Sequence, residues 1–300
     1  MSNPNPDPRP ARDSDLTLAL ELADTADRIT LARFQAADLR VARKPDRTPV
    51  TDADTATEDA LRAVLATRRP EDPVLGEERG LAPGSPPPGS TTPGSTTPET
   101  PAAGSPAAGS RERSWILDPI DGTKNFSRGM PVWATLIALT EGGKPTVGVV
   151  SAPALGRRWW ASAGGGAFAG NPANPDHPAG AIRRISVSGV SHLSDACLST
   201  TELSTWAELG ALPRYLDLAG RCWVVRAFGD FWQHVLVAEG AIDLGIDGEA
   251  NAWDLAAVQL IVTEAGGRFS DLAGVDRFDG GSGVSSNGLL HDVALAVLKG

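Results

Sequence analysis

WILDPIDGTKNF, residues 115–126, decides how this chain is read. Trp115, Ile116 and Leu117, suited to a buried strand, run directly into Asp118, Pro119 and Asp121. Two carboxylates this close repel each other unless a cation lies between them. Pro119 fixes the turn, and Gly122 lets the backbone come close to a ligand. No His or Cys is adjacent, so oxygen donors of this kind suit Mg2+ or Mn2+ and not zinc. A helix or turn starting at Gly122 and Thr123 would offer free N–H groups to a phosphate oxygen.

Outward from this stretch, other acids stand at the ends of elements. Pro-Val-Leu leads into Gly76, Glu77 and Glu78 as a short strand, Asp254 opens a helix, and Asp52 opens or precedes another. Taken singly, Asp52 and Asp254 read as helix caps. The first helix is expected near Asp15, capped by Ser14, with Leu18, Leu22, Ala26 and Ile29 on one face. The second starts near Asp52 or Asp54, buries Ala56, Ala60, Leu61, Val64 and Leu65, and stops at Pro70. Strand candidates cover 115–117, 133–139, 146–150 and 158–161. They are followed by a helix at 231–239, a strand at 243–246, and a last helix from Asp254 to the Gly266-Gly267 stop. Strands and helices alternate in two blocks, which favours a layered α/β or α+β architecture. The expected organisation is a disordered tail at 1–13, an N-terminal half at 14–155 and a C-terminal half at 156–300. Residues 83–110, where PGSTTP almost repeats in tandem, cannot bury enough surface to order themselves and read as a flexible insertion in the first half.

Lys and Arg total 27 against 37 Asp and Glu, a formal charge of -10 over 300 residues. That field attracts neither nucleic acid nor anionic lipid, and it repels a phosphorylated metabolite unless local cations reverse it. The two cysteines, Cys197 and Cys222, form no CxxC spacing, so a zinc site or disulfide framework is not expected. The N-terminus is polar and proline-rich without an apolar signal core, so a cytoplasmic protein is expected.

WILDPIDGTKNF resembles the first signature of the inositol monophosphatase family, and NAWDLAAVQLIVTEAGGRFSD, residues 251–271, resembles its second. GEE at 76–78, TPVTDAD at 48–54 and GGGAF at 164–168 match further family elements in the same order. The resemblance implies a five-layer αβαβα sandwich and a Mg2+-dependent homodimer holding two or three ions, with Mn2+ as a possible substitute. It makes Glu77, Asp118, the Ile120 carbonyl, Asp121 and Asp254 the metal ligands, with Glu78 supporting Glu77 or a bound water. Thr123 and Asp52 would orient and deprotonate the attacking water, and the N–H groups of Gly122 and Thr123 would bind phosphate. Lys44 matches a basic family position but reads more simply as a solvated lysine.

The signatures fix the chemistry and leave the alcohol open. TPVTDAD, the extended stretch 121–139, SAPALGRRWWA (151–161) and FGDFW (228–232) resemble the histidinol-phosphatase branch found in actinobacteria. Trp159 and Trp160 are expected to be packing residues. Histidinol phosphate carries an ammonium, and a pocket for it needs a carboxylate that does not ligate metal. Asp230, Asp247 and Glu249 stand at or near family substrate positions, although Asp247 replaces an expected Glu. The alternative is an inositol-1-phosphate or broad sugar-phosphate monoesterase on the same fold.

Overall fold

Two helices, α1 (Arg9–Arg33) and α2 (Asp52–Arg68), pack on each other and on one face of an eight-stranded sheet. The coordinates, a computed structural model, describe residues 9–45, 47–85, 113–171 and 181–300. The expected tail at 1–13 and insertion at 83–110 therefore lie mostly outside the described residues. A short antiparallel hairpin, β1 (Val41–Arg43) and β2 (Pro49–Thr51), joins the two helices.

The large sheet contains β3 (Val74–Gly76), β4 (Gly80–Ala82), β5 (Arg113–Asp121), β6 (Ala134–Glu141), β7 (Lys144–Ala152), β8 (Arg157–Ser162), β9 (Gly166–Gly170) and β10 (Arg183–Arg184). Its order is β10-β9-β8-β7-β6-β5-β3-β4, antiparallel except where β3 meets β5. A short helix, α3 (Thr123–Ser127), sits between β5 and β6. A second sheet is built from β11 (Cys197–Thr200), β12 (Val224–Arg226), β13 (Leu244–Asp247), β14 (Arg268–Ser270) and β15 (Gly283–Ser286), in the order β12-β11-β13-β15-β14. Between β11 and β12 run α4 (Leu203–Glu208) and α5 (Leu212–Arg221); α6 (Asp230–Ala238), α7 (Ala252–Glu264) and α8 (His291–Lys299) complete the chain.

Alternation along β5 explains the layering. Trp115 and Leu117 point toward α1 and α2, while Ile116 points to the opposite face among residues of α6 and α7. Helix α7 buries Leu255 through Val262 on every side because it lies between the two sheets. Gly148 on β7 makes this possible, since a Cβ there would stand 2.7 Å from the Ala257 carbonyl oxygen. The outer face of the second sheet packs on α4, α5 and α8 through Trp206, Tyr215, Leu218 and Leu295. The result is the expected αβαβα stack. No helix among the described residues is long and apolar enough to cross a membrane.

Three local expectations need correction. Helix α1 begins at Arg9, so Ser14 lies inside it and accepts a hydrogen bond from Arg69 at 3.1 Å instead of capping. Pro10 is tolerated in a first turn, where its missing N–H would go unbonded. Helix α2 buries Ala53, Asp54, Thr57, Glu58, Leu61 and Leu65, while Ala56 is exposed and Ala60 and Val64 are only half-buried; Asp54 and Glu58 turn inward because their carboxylates have partners there. The large sheet continues past residue 155 through β8, β9 and β10, since β8 pairs directly with β7.

Candidate active site

The site forms where β5 breaks its register. Asp118 pairs with Leu136 and Asp121 with Ala134, so one extra residue is inserted opposite β6. Residues three apart on a regular strand face opposite sides, and the bulge brings both aspartates to the same side. Pro119, which has no N–H for the ladder, sits in the bulge and its carbonyl accepts from Thr135 at 2.8 Å. Gly122 then turns the chain at φ 83° into α3.

Asp254 arrives from the first turn of α7, where it closes a reciprocal cap with Asn251 and accepts that residue's N–H at 2.7 Å. It is thus both a cap and a site residue. Carboxylate oxygens of Asp118, Asp121 and Asp254 lie within 4.8 Å of one another. Asp118 also accepts the Ile120 N–H at 3.0 Å, and Asp121 accepts the Phe231 N–H at 2.5 Å. Burial, then Glu77, Asp121 and Asp254, push the Asp118 carboxyl well above its usual range. Burial, then Asp230 and Asp254, do the same to Asp121. Asp254 rises to about 7, from burial and then Glu77 and Asp247 against its hydrogen bonds. An all-oxygen cluster whose members repel each other in this way fits a hard divalent cation.

Glu77 and Glu78 follow β3 beside this cluster. Lys44, expected to be solvated, instead reaches from the β1–β2 hairpin to Glu77 at 2.6 Å and Glu78 at 2.7 Å. Burial disfavours its charge, but the two carboxylates more than offset that and hold the ammonium protonated. The loop itself is fixed by Glu58, a buried residue on α2 that the sequence did not single out. Its carboxylate accepts the N–H groups of Glu78 at 2.7 Å and Arg79 at 3.1 Å, and pairs with Arg62 at 2.7 Å.

Asp52 does not meet Thr123. Its carboxylate is turned to Arg33 at 2.8 Å and the Arg40 N–H at 3.4 Å. Asp54 takes that place: Thr123 Oγ1 lies 3.1 Å from Asp54 Oδ1 and 2.8 Å from the Ile120 carbonyl oxygen. Burial is the largest influence raising the Asp54 carboxyl to about 6, opposed by hydrogen bonds from Thr51. The motif TPVTDAD contained the residue, but the spacing offered no way to choose between two aspartates.

Beside the cluster lies a cavity of about 70 Å3, walled by Asp121, Thr201, Asp230, His234, Asp247 and Glu249. Asp230 adopts φ 48° at the start of α6 and is held by its N–H to Thr201 Oγ1 at 2.9 Å and by Asn125 at 3.3 Å. Burial, then Asp247, raise its carboxyl to about 6. Asp247 is already occupied: Gln233 donates to it at 2.7 Å, Thr201 donates to the same oxygen, and His234 Nε2 lies 2.8 Å from the other. Glu249 is exposed at the cavity edge. A larger groove, about 720 Å3, runs along α1 and past Arg157 and Arg158, remote from the carboxylate cluster. The chemistry belongs to the smaller cavity. Trp159 is buried against Phe231, and Trp160 stacks on Phe168, as packing residues.

Comparison with known proteins points to one family. A model of the inositol monophosphatase family matches residues 12–298. A histidinol-phosphatase of Mycobacterium tuberculosis is 51% identical, covering 95% of this chain and 98% of its own. A histidinol-phosphatase of Streptomyces coelicolor is 47% identical over 95% and 97%. The solved inositol monophosphatase of Zymomonas mobilis is 28% identical, with a TM-score of 0.75 over 96% of this chain and 99% of that one. Fold and site together define a metal-dependent phosphoric monoester hydrolase. The chain belongs to the inositol monophosphatase family.

Proposed function

We propose that this enzyme hydrolyses L-histidinol phosphate to L-histidinol and phosphate, with Mg2+ as its ion, as a cytoplasmic homodimer. The observation that carries the substrate is the acidic wall beside the metal cluster. Asp230 and Glu249 line the cavity without belonging to the cluster, and they suit an ammonium better than a neutral polyol. The names and identities of the Mycobacterium and Streptomyces relatives support it.

Glu77, Asp118, the Ile120 carbonyl, Asp121 and Asp254 would hold two or three divalent ions. When bound, these polarise the phosphoryl oxygens and acidify the attacking water. The chain supplies the rest. Thr123 hydrogen-bonds through its O–H to Asp54, leaving an oxygen lone pair to orient water in line with phosphorus. Asp54, with its raised carboxyl, accepts the proton that the water loses. The N–H groups of Gly122 and Thr123 face the phosphate. The P–O bond to the alcohol breaks, and the leaving alkoxide takes a proton from solvent.

The test is kcat/KM for histidinol phosphate against inositol 1-phosphate, measured with Mg2+ and after EDTA. Preference for the amine ester, lost with EDTA and restored by Mg2+, is expected. Equal values for the two esters would defeat the substrate assignment.

A further inference from the structure

One exposed ion pair joins the chain neighbours of two site residues. Lys124, next to Thr123 in α3, sets its ammonium on Glu202 Oε1. Glu202 directly follows Thr201, which lines the cavity, and stands at the start of α4. The pair thus joins the side carrying the metal carboxylates to the side carrying Asp230 and Asp247. Both side chains are well exposed, 61% and 41%, so water and salt compete for the contact. Among the described residues, the other Glu202 oxygen has only a long contact, from Ser204 at 3.4 Å. Asp230 inside the cavity feels both charges, Lys124 lowering its carboxyl and Glu202 raising it, after the larger effects of burial and Asp247.

We propose that the Lys124–Glu202 pair is a specificity gate: a phosphate ester carrying its own ammonium exchanges partners with it, phosphate to Lys124 and ammonium to Glu202. The inference deepens the proposed function and rests on it. The pair has the same charge pattern as the substrate, one cation and one anion at opposite ends of a short span. Exchange turns one ion pair into two and leaves no charge unmatched. An ester of a neutral alcohol can draw Lys124 to its phosphate only by stripping Glu202 of its cation. Discrimination then arises from the penalty on the wrong substrate as well as from attraction to the right one.

Steady-state kinetics with Mg2+ on wild type, Glu202→Gln, Glu202→Asp and Lys124→Gln test this, with histidinol phosphate and inositol 1-phosphate as substrates. Removing an exposed pair leaves folding intact. Glu202→Gln is expected to raise KM for histidinol phosphate about tenfold, the scale of one charge-assisted hydrogen bond, with kcat unchanged. KM for inositol 1-phosphate stays the same or falls, because Lys124 is no longer tied. Glu202→Asp keeps most of the preference, and Lys124→Gln raises KM for both esters. If Glu202→Gln shifts both substrates by one common factor, or shifts neither, the gate is overturned and the histidinol-phosphate reading stands. A wild-type enzyme without preference for the amine ester overturns both.

Discussion

Thr123 and Asp54, 3.1 Å apart, form a hydroxyl–carboxylate couple placed beside the metal carboxylates to take a proton from water. Asp54→Asn should therefore lower kcat by about 10²–10⁴-fold with little change in KM, the usual worth of a positioned base. Asp52→Asn should stay within about threefold, since that carboxylate faces Arg33 instead of the substrate. Steady-state rates of the two variants decide between them. The distinction was not legible in TPVTDAD: residues 52 and 54 are about 200° apart around a helix, so only one can face α3, and nothing local says which. The pocket acids divide in the same way. Asp230→Asn should raise KM for histidinol phosphate by about tenfold and spare inositol 1-phosphate, as expected for loss of one charge-assisted contact. Asp247→Asn should instead lower thermal stability and affect both esters alike, because His234, Gln233 and Thr201 already fill that carboxylate. From the sequence the three acids looked equivalent; their hydrogen-bond partners, distant in the chain, separate them.

Helix α2 shows at the element scale what periodicity could not supply. Its length and stop were readable, but its inward face carries Asp54, Thr57 and Glu58, which a hydrophobic stripe cannot reveal. Glu58 earns its burial by holding Arg62 and the N–H groups of Glu78 and Arg79, and so sets the loop that carries two site acids. Gly76 leaves room for it, since a Cβ there would stand 2.2 Å from Glu58 Oε1. Glu58→Ala should cost about 3–5 kcal/mol in urea unfolding, the range for stranding one partner of a buried pair. A loss under about 1 kcal/mol, the value of a surface pair, would show the contact to be incidental. The β5 bulge was half legible: Pro119 marked the turn, but the extra residue opposite β6 depends on a strand that lies beyond α3. Likewise the two blocks were visible, but not that β8, β9 and β10 extend the first sheet, because strand order is a property of pairing and not of composition.

The whole molecule is built around a concentration of negative charge that it does not neutralise by itself. In Asp118, Asp121 and Asp254 the carboxyls are held above their ordinary range, the last to about 7. Raised carboxyls mean that the metal-free fold binds more protons than the unfolded chain does between the ordinary carboxylate range, near pH 4, and about pH 7. Stability of the metal-free protein must therefore fall as pH rises through that window, by about 1.4 kcal/mol for each unit of displacement per group. A divalent cation competes with those protons, so its stabilising effect has the opposite trend and is largest where the carboxylates are ionised. At a hundredfold excess over its dissociation constant Mg2+ should add about 2.7 kcal/mol, or a rise in Tm of roughly 5–10 °C. Thermal unfolding with EDTA and with Mg2+, at pH 5.5 and pH 8, reads this directly. The Mg2+ shift should be clearly greater at pH 8; a shift equal at both pH values, or absent, would mean that the three carboxylates do not share the ion and that their close approach serves only the fold.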